Sequence, residues 1–156
     1  MPIELTLTPG FPRYARALLT TAAQLFHPAD GTGPVGGVRA GAVLQDGSGR
    51  AFTAASPAYP GGPCAEAAVL ASARSAGDPD PRVLAVVSAA AHGTGIALPC
   101  GGCRQLLCDA AYANGRDIEI YCADTSLSAV VLVTATELLP LSPGIPVAPG
   151  LPGATG

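Results

Sequence analysis

Residues 83–87 form an uninterrupted apolar run of strand length, and this run limits the possible folds more than any other segment. A strand that is apolar at every position is typically buried on both faces, so helices must cover both sides of its sheet. The Ala-rich residues 64–76 before it and the segment that begins at Cys100 after it both have helical character. We therefore predict an α/β fold in which a sheet lies between helices.

The remaining segments supply the other predicted elements. Apolar residues at helical spacing predict a first helix, and a DGSG turn at residues 46–49 predicts a hairpin of antiparallel strands. In the second Ala-rich helix we expect Leu106, Leu107, Ala110 and Ala111 to face inward. The order α, β, β, α, β, α, β, β predicts a three-layer αβα sandwich around a mixed five-stranded sheet. Besides the elements already named, the predicted segments are helices at 12–26 and 136–139 and strands at 38–44, 50–55, 118–122 and 129–133.

Length and composition predict one domain and exclude several functions. The chain has 156 residues, a net charge of -3 and no Lys or basic cluster, which argues against nucleic-acid binding. It has no signal-peptide pattern and no apolar run of roughly 20 residues, so we expect a cytoplasmic protein without a membrane partner. We predict a catalytic domain over residues 1–140 and a Pro/Gly-rich C-terminal tail over residues 141–156.

Two similar segments contain the cysteines of chemical interest. Residues 61–66 read GGPCAE and residues 98–103 read LPCGGC, so that a Pro-Cys pair begins each predicted helix. A thiolate at a helix N-terminus is stabilised by free backbone amides and by the helix dipole. Cys100 and Cys103 lie on one face of the first turn and can chelate one ion. With Cys64 they give three thiolates and an open fourth position, which is typical of catalytic zinc sites.

Glu66 follows Cys64 by two residues, so we expect it to face the same site without binding the metal. A carboxyl group in that position can move protons between water and a substrate. Three cysteines on zinc, a non-ligand Glu and a P-C-x-x-C segment together are typical of zinc-dependent deaminases. These residues resemble the cytidine deaminase family, and the GGPCAE run is most similar to its blasticidin S deaminase branch.

Further segments extend this resemblance over roughly residues 12–140. PCGGCRQ at residues 99–105, the hairpin at 46–52 and ELLP at 137–140 are similar to family landmarks and occur in the same order. The resemblance implies a cytidine deaminase-like fold, Zn²⁺ held by Cys64, Cys100 and Cys103, and proton transfer by Glu66. It also implies hydrolytic removal of ammonia from a cytosine nucleoside or related aminated heterocycle, and a homo-oligomer, either a tetramer or a dimer.

The segments that bind the sugar in typical family members differ here from the family pattern. The Asn and Glu that typically hold the ribose hydroxyls are absent, as are a Phe before the first strand and an aromatic residue after ELLP. Ser56 stands near the Asn position, and Arg39 replaces a small or apolar residue. We therefore expect a modified nucleoside as substrate, with Ser56, Tyr59 and Arg39 as candidate contacts. Three thiolates leave a zinc site with net negative charge, so Arg104 is a candidate partner of a ligand thiolate.

Alternative interpretations of these residues remain. Cys100 and Cys103 alone would also fit a C-x-x-C redox pair, and the three cysteines would fit a non-catalytic protein with a structural zinc. A redox protein needs neither Cys64 nor Glu66, and a structural site needs a fourth protein ligand. We expect Cys108 and Cys122 to be core residues and His92 to lie in a loop.

Overall fold

The computed structural model describes residues 7–26, 40–56, 62–77, 80–89 and 95–140, together with the backbone of residues 3–5. Arg39, Tyr59, His92 and the predicted tail at 141–156 lie outside these residues, and the division of the chain at residue 140 stays a prediction. The elements are β1 Ile3–Leu5, α1 Arg13–Leu25, β2 Ala40–Asp46, β3 Ala51–Ala55, α2 Ala65–Ser75, β4 Pro81–Ser88, α3 Gly101–Asn114, β5 Glu119–Ala123, β6 Val130–Thr134 and α4 Ala135–Leu138.

The sheet is mixed and has the strand order β1-β6-β5-β4-β2-β3. Strands β4 and β5 pair in parallel, and the other neighbours are antiparallel. All five predicted strands are present. A sixth strand that the sequence analysis did not predict, β1, adds three residues at the edge beside β6. Three residues are too few to show a strand pattern, so β1 depends on its pairing with β6.

Helices cover both faces of the sheet, which confirms the three-layer αβα sandwich. One face packs against α1, and the other packs against α2, α3 and α4. Strand β4 shows why residues 83–87 are all apolar. Val83, Ala85 and Val87 contribute to the α1 side of the core, whereas Leu84 and Val86 contribute to the α2–α3 side.

The core-facing side of helix α3 is rotated away from the predicted one, toward Cys103 and Cys108. Leu107 and Ala111 are buried as expected and Ala110 is partly buried, but Leu106 is 48% exposed. The inward positions Cys103, Leu107 and Ala111 recur every four residues, and Leu106 lies about 100° away around the helix. The prediction for Leu106 was therefore wrong, because its side chain lines an open groove between α2 and α3.

At one end of the sheet, the ends of several strands lie close to the candidate site. Strands β3 and β4 end there and β2 begins there, since Ala40 pairs with Ser88 and the Ser56 amide donates to the Ala40 carbonyl oxygen at 2.9 Å. A cavity at this edge is lined by residues at the starts of both α2 and α3, Cys64 and Cys100 among them. The carboxyl ends of strands in open α/β sheets are where ligands usually bind. No helix among the described residues is long and apolar enough to cross a lipid bilayer.

Candidate metal centre and catalytic pocket

Cys64 and Cys100 occupy the same position at the starts of α2 and α3. Each is the residue immediately before the helix and has an extended backbone, with φ -62° and ψ 151° at Cys64 and φ -65° and ψ 168° at Cys100. Each follows a proline, whose ring disfavours helical geometry in the residue before it. The Pro-Cys pair therefore marks the helix start, as the sequence predicts.

The three predicted ligand cysteines converge. The sulfurs of Cys64 and Cys100 lie 3.7 Å apart, and those of Cys64, Cys100 and Cys103 all lie within 4.8 Å of one another. Zn–S bonds of about 2.3 Å in a tetrahedron separate two sulfurs by about 3.8 Å. The donor set and its spacing therefore fit zinc, and Cys64, Cys100 and Cys103 form no disulfide.

The three thiols differ in their surroundings. Cys100 is exposed, and backbone amides at the start of α3, that of Cys103 foremost, lower the pKa of its thiol. Burial raises the pKa of Cys64, with a further contribution from Cys100. Burial also raises the pKa of Cys103, which is 2% exposed. One thiol is thus disposed to ionise, and the other two need a cation to stabilise their thiolates.

Glu66 lies in the first turn of α2 with its side chain buried. Only 7% of it is exposed, and this burial raises the pKa of its carboxyl group. It stands outside the group of convergent metal-ligating atoms. A carboxyl group of raised pKa at the margin of a cavity is suited to carry a proton near neutral pH.

A cavity of about 110 Å³ joins these groups at the sheet edge. Its lining residues are Ala40, Ser56, Cys64, Glu66, Ser88, Ala97, Leu98 and Cys100. The candidate contact Ser56 thus lines the same cavity as Glu66. Its hydroxyl oxygen accepts a hydrogen bond from the Ala65 amide at 3.1 Å and so satisfies one free amide of α2.

Ser88 is a lining residue that the sequence analysis missed. It is the last residue of β4 and is 3% exposed, and within the described part of the chain its hydroxyl has no hydrogen-bond partner. The predicted strand ended one residue earlier, at Val87. Alternation along the strand could have placed Ser88 on the same face as Leu84 and Val86, and hence beside α2 and α3.

The other predicted site residues have different outcomes. Arg104 donates from Nε to the Pro99 carbonyl oxygen at 2.8 Å, just before Cys100, and its contact with a thiolate stays a prediction. Arg39 and Tyr59 lie outside the described residues, so their roles also stay predictions.

Cys108 and Cys122 are fully buried, as the sequence analysis expects. Burial raises the pKa of Cys122 to about 12, with a smaller contribution from the charge of Glu66. The Cys122 thiol therefore stays protonated, and buried cysteines of this kind pack as small apolar side chains. They are therefore useful controls for the cysteines at the metal centre.

Solved structures with the same fold are cytidine deaminases. The enzyme from Burkholderia pseudomallei is 26% identical, with a TM-score of 0.65 over 81% of this chain and 97% of that chain. The enzyme from Mycobacterium tuberculosis is 25% identical, with a TM-score of 0.55 over 83% and 94%. That from Mycobacterium leprae is 20% identical, with a TM-score of 0.51 over 81% and 93%.

No protein-family model and no curated protein matches the sequence significantly. The structural match nevertheless covers nearly the whole length of the solved structures. In this chain, the shared architecture brings the two Pro-Cys helix starts together. Closeness to the blasticidin S deaminase branch stays a prediction. The chain therefore has the cytidine deaminase-like α/β fold, and both its structural neighbours and its three-cysteine group support the cytidine deaminase family.

Proposed function

We propose that the protein is a zinc-dependent hydrolytic deaminase that acts on a cytosine nucleoside or a related modified, aminated heterocycle. One observation carries this proposal: three cysteine sulfurs converge, and two of these cysteines line one small cavity together with a buried carboxyl group. In the reaction, water supplies the oxygen that replaces the ring amine, and the amine leaves as ammonia.

Cys64, Cys100 and Cys103 are the residues that would hold the zinc ion. Two of them stand at helix N-termini, whose positive dipole ends partly offset the charge of the thiolates. When bound, zinc would supply a Lewis acid that makes water nucleophilic at neutral pH. The protein leaves one side of the proposed metal centre open to the cavity, which Cys64 and Cys100 line.

Glu66 is the proton-transfer residue of this proposal. Its burial favours the neutral form, so it can hold a proton at a higher pH than an exposed glutamate. It would take a proton from water and deliver protons to the ring nitrogen and to the departing ammonia. A positioned acid–base group of this kind contributes roughly 10²- to 10⁴-fold to a rate.

The cavity volume and the structurally similar enzymes both support a small heterocyclic substrate. A space of about 110 Å³ suits a single ring, whereas sites for drug-sized ligands measure roughly 300–1,000 Å³. The structural neighbours are named cytidine deaminases, which supports a cytosine-like ring. The missing ribose-binding Asn and Glu favour a modified nucleoside, with Ser56, Tyr59 and Arg39 as its proposed contacts. A cytoplasmic homotetramer or homodimer belongs to the same proposal.

The competing proposal is a non-catalytic zinc protein or a C-x-x-C redox protein. In the part of the chain that the structure describes, the group of convergent metal-ligating atoms contains the three sulfurs and no fourth ligand. A structural zinc site would normally be closed by a fourth ligand. Neither alternative gives a reason for burying Glu66 beside the sulfurs, so the deaminase is favoured.

Metal analysis and ammonia release test the proposal together. We expect one zinc per chain and ammonia release from at least one compound in a panel of cytidine, deoxycytidine, blasticidin S and other aminated heterocycles. Glu66→Gln should lower turnover by roughly 10²- to 10⁴-fold and leave the zinc content unchanged. Glu119→Gln is the matched control, because that exposed carboxylate accepts its hydrogen bonds from Tyr14 and Tyr121.

Three results would contradict parts of this proposal. Ammonia release that Glu66→Gln leaves intact would exclude the proton-transfer role. A zinc-loaded protein that releases no ammonia from the whole panel would favour the structural-zinc alternative. Efficient turnover of plain cytidine alone would keep the deaminase and exclude the specialised substrate.

A further inference from the structure

The Ser88 hydroxyl is buried at the end of the apolar run in β4. Its residue is 3% exposed, and its oxygen has no hydrogen-bond partner among the residues that the structure describes. A buried hydroxyl left unpaired costs stability comparable to a lost hydrogen bond. Unpaired buried groups are rare in folded proteins and often mark a place where a ligand or an ordered water binds.

The register of β4 places Ser88 on the face of the sheet that carries the candidate site. Leu84 and Val86 belong to the core beneath α2 and α3, and a period of two residues puts Ser88 on that side. Ser88 lines the 110 Å³ cavity together with Glu66 and Cys64. The hydroxyl therefore belongs to the wall of the cavity in which the ring would bind.

The neighbouring lining residues leave Ser88 as a polar group that is free for a ligand. Ala40, Ala97 and Leu98 supply apolar wall. The Ser56 hydroxyl oxygen already accepts a hydrogen bond from the Ala65 amide. Because the Ser88 hydroxyl both donates and accepts, it can pair with a ring carbonyl oxygen or with a ring nitrogen.

We propose that Ser88 is a specificity-determining residue whose hydroxyl forms a hydrogen bond to a polar ring atom of the substrate bound beside Glu66. This inference rests on the proposed deaminase function and adds a substrate contact to it. A site built to hydrogen-bond a ring atom discriminates strongly against rings that lack it, because the buried hydroxyl is then left unpaired. The Ser88 contact would thus select aminated heterocycles that carry a second polar atom besides the reacting amidine.

Ser88→Ala separates a ligand contact from a structural role. With whichever of cytidine, deoxycytidine or blasticidin S the wild type turns over fastest, we expect kcat/KM to fall about 10- to 100-fold. The melting temperature should stay equal or rise, because the substitution removes an unpaired buried group. Zinc content and the pH profile of kcat/KM should not change. Ser72→Ala, the same deletion at an exposed position of α2, should leave every readout at the wild-type value.

The outcomes distinguish this inference from the function on which it rests. If the wild type releases ammonia and Ser88→Ala retains its kcat/KM, the contact is excluded and the deaminase stands. A lowered melting temperature with kcat/KM unchanged would make Ser88 a structural residue. A shifted pH profile would place its action on Glu66 and overturn the substrate contact. No release by the wild type from any compound would overturn the proposed function and this inference with it.

Discussion

Helices α2 and α3 begin in the same way and then differ within one turn. Both follow a Pro-Cys pair, and both cysteines precede the helix with an extended backbone. The second helical residue is Glu66 in α2 and Gly102 in α3, and the third is Ala67 in α2 and Cys103 in α3. The shared start brings the cysteine sulfurs together, whereas the residues that follow give the two helices different functional groups. In the proposed deaminase, α3 would provide two metal ligands, and α2 would provide one ligand and the proton-transfer group.

The amides at the two helix starts also have different partners. In α2 the Ala65 amide donates to the Ser56 hydroxyl, which belongs to the end of β3. In α3 the amides of Cys103 and Gly102 interact with the Cys100 sulfur and lower the pKa of its thiol. Burial raises the pKa of Cys64 instead. A common sequence motif therefore gives thiols of opposite tendency, because burial dominates at Cys64 and backbone amides dominate at Cys100.

Removing a ligand from α3 should have the largest effect. We expect Cys103→Ala to weaken zinc binding by more than about 100-fold, beyond what the loss of an outer-sphere partner costs, and to abolish turnover. The reason is that Cys100 and Cys103 would form the chelating pair, and the variant would keep only two of the three proposed ligands, Cys64 and Cys100. Zinc content after dialysis against a weak chelator measures the effect.

Cys122→Ala is the matched control for this experiment. Its thiol is fully buried in β5, so the substitution changes the core and should retain one zinc per chain. Full zinc occupancy in Cys103→Ala, or loss of zinc in Cys122→Ala, would contradict the assignment of ligands to the two helix starts.

Replacing Arg104 should have a smaller effect on zinc binding, and this effect should arise at the start of α3. Its Nε donates to the carbonyl oxygen of Pro99, the buried residue before Cys100. Arg104→Ala should loosen that backbone and lower zinc affinity about tenfold, with a parallel fall in turnover. Competition with a chromogenic chelator measures the affinity.

Arg16→Ala provides a matched control on the opposite face of the sheet. Arg16 also donates to a backbone carbonyl oxygen, that of Thr8 at 2.7 Å, but it belongs to α1. Its loss should not change zinc affinity. If Arg104→Ala behaves in the same way as this control, Arg104 has no part in holding a ligand.

The sequence predicts the cysteines and the central strand of the candidate site better than the residues that line its cavity. Pro-Cys pairs and the spacing from Cys100 to Cys103 are local signals, so they locate three convergent sulfurs from the chain alone. The central strand is also predictable, because burial on both faces needs an apolar residue at nearly every position. Ser88 is harder to identify, since a serine at a strand end has many ordinary explanations. Its significance comes from the cavity and from the absent partner.

Two other features depend on contacts between distant segments. Strand β1 exists through its pairing with β6, and no periodicity can show in three residues. Leu106 resembles a core residue by composition, but the groove between α2 and α3 leaves it 48% exposed. Local patterns thus predict which segments form helices and strands, whereas the packing of one segment on another decides which side chains are covered.

Ser56→Ala should give the smallest effect and tests the difference between the two helix starts directly. Removing the acceptor of the Ala65 amide should cost about 1 kcal/mol and lower the melting temperature by about 2–4 °C. In zinc-stripped, reduced protein, the gap between the alkylation rates of Cys100 and Cys64 should stay unchanged. Burial raises the pKa of Cys64, and the amides that lower the pKa of Cys100 belong to residues two and three positions after it, unlike the Ala65 amide.

Ser72→Ala, at an exposed position of the same helix, should change neither the melting temperature nor the alkylation rates. A KM effect in Ser56→Ala without any thermal shift would mean that the hydroxyl serves the substrate more than the helix. A narrowed alkylation gap would mean that the partner of the Ala65 amide also influences the Cys64 thiol. An unchanged gap agrees with the deeper position of Cys64 as the cause of its raised pKa, because desolvation acts on a thiolate whichever amides are free.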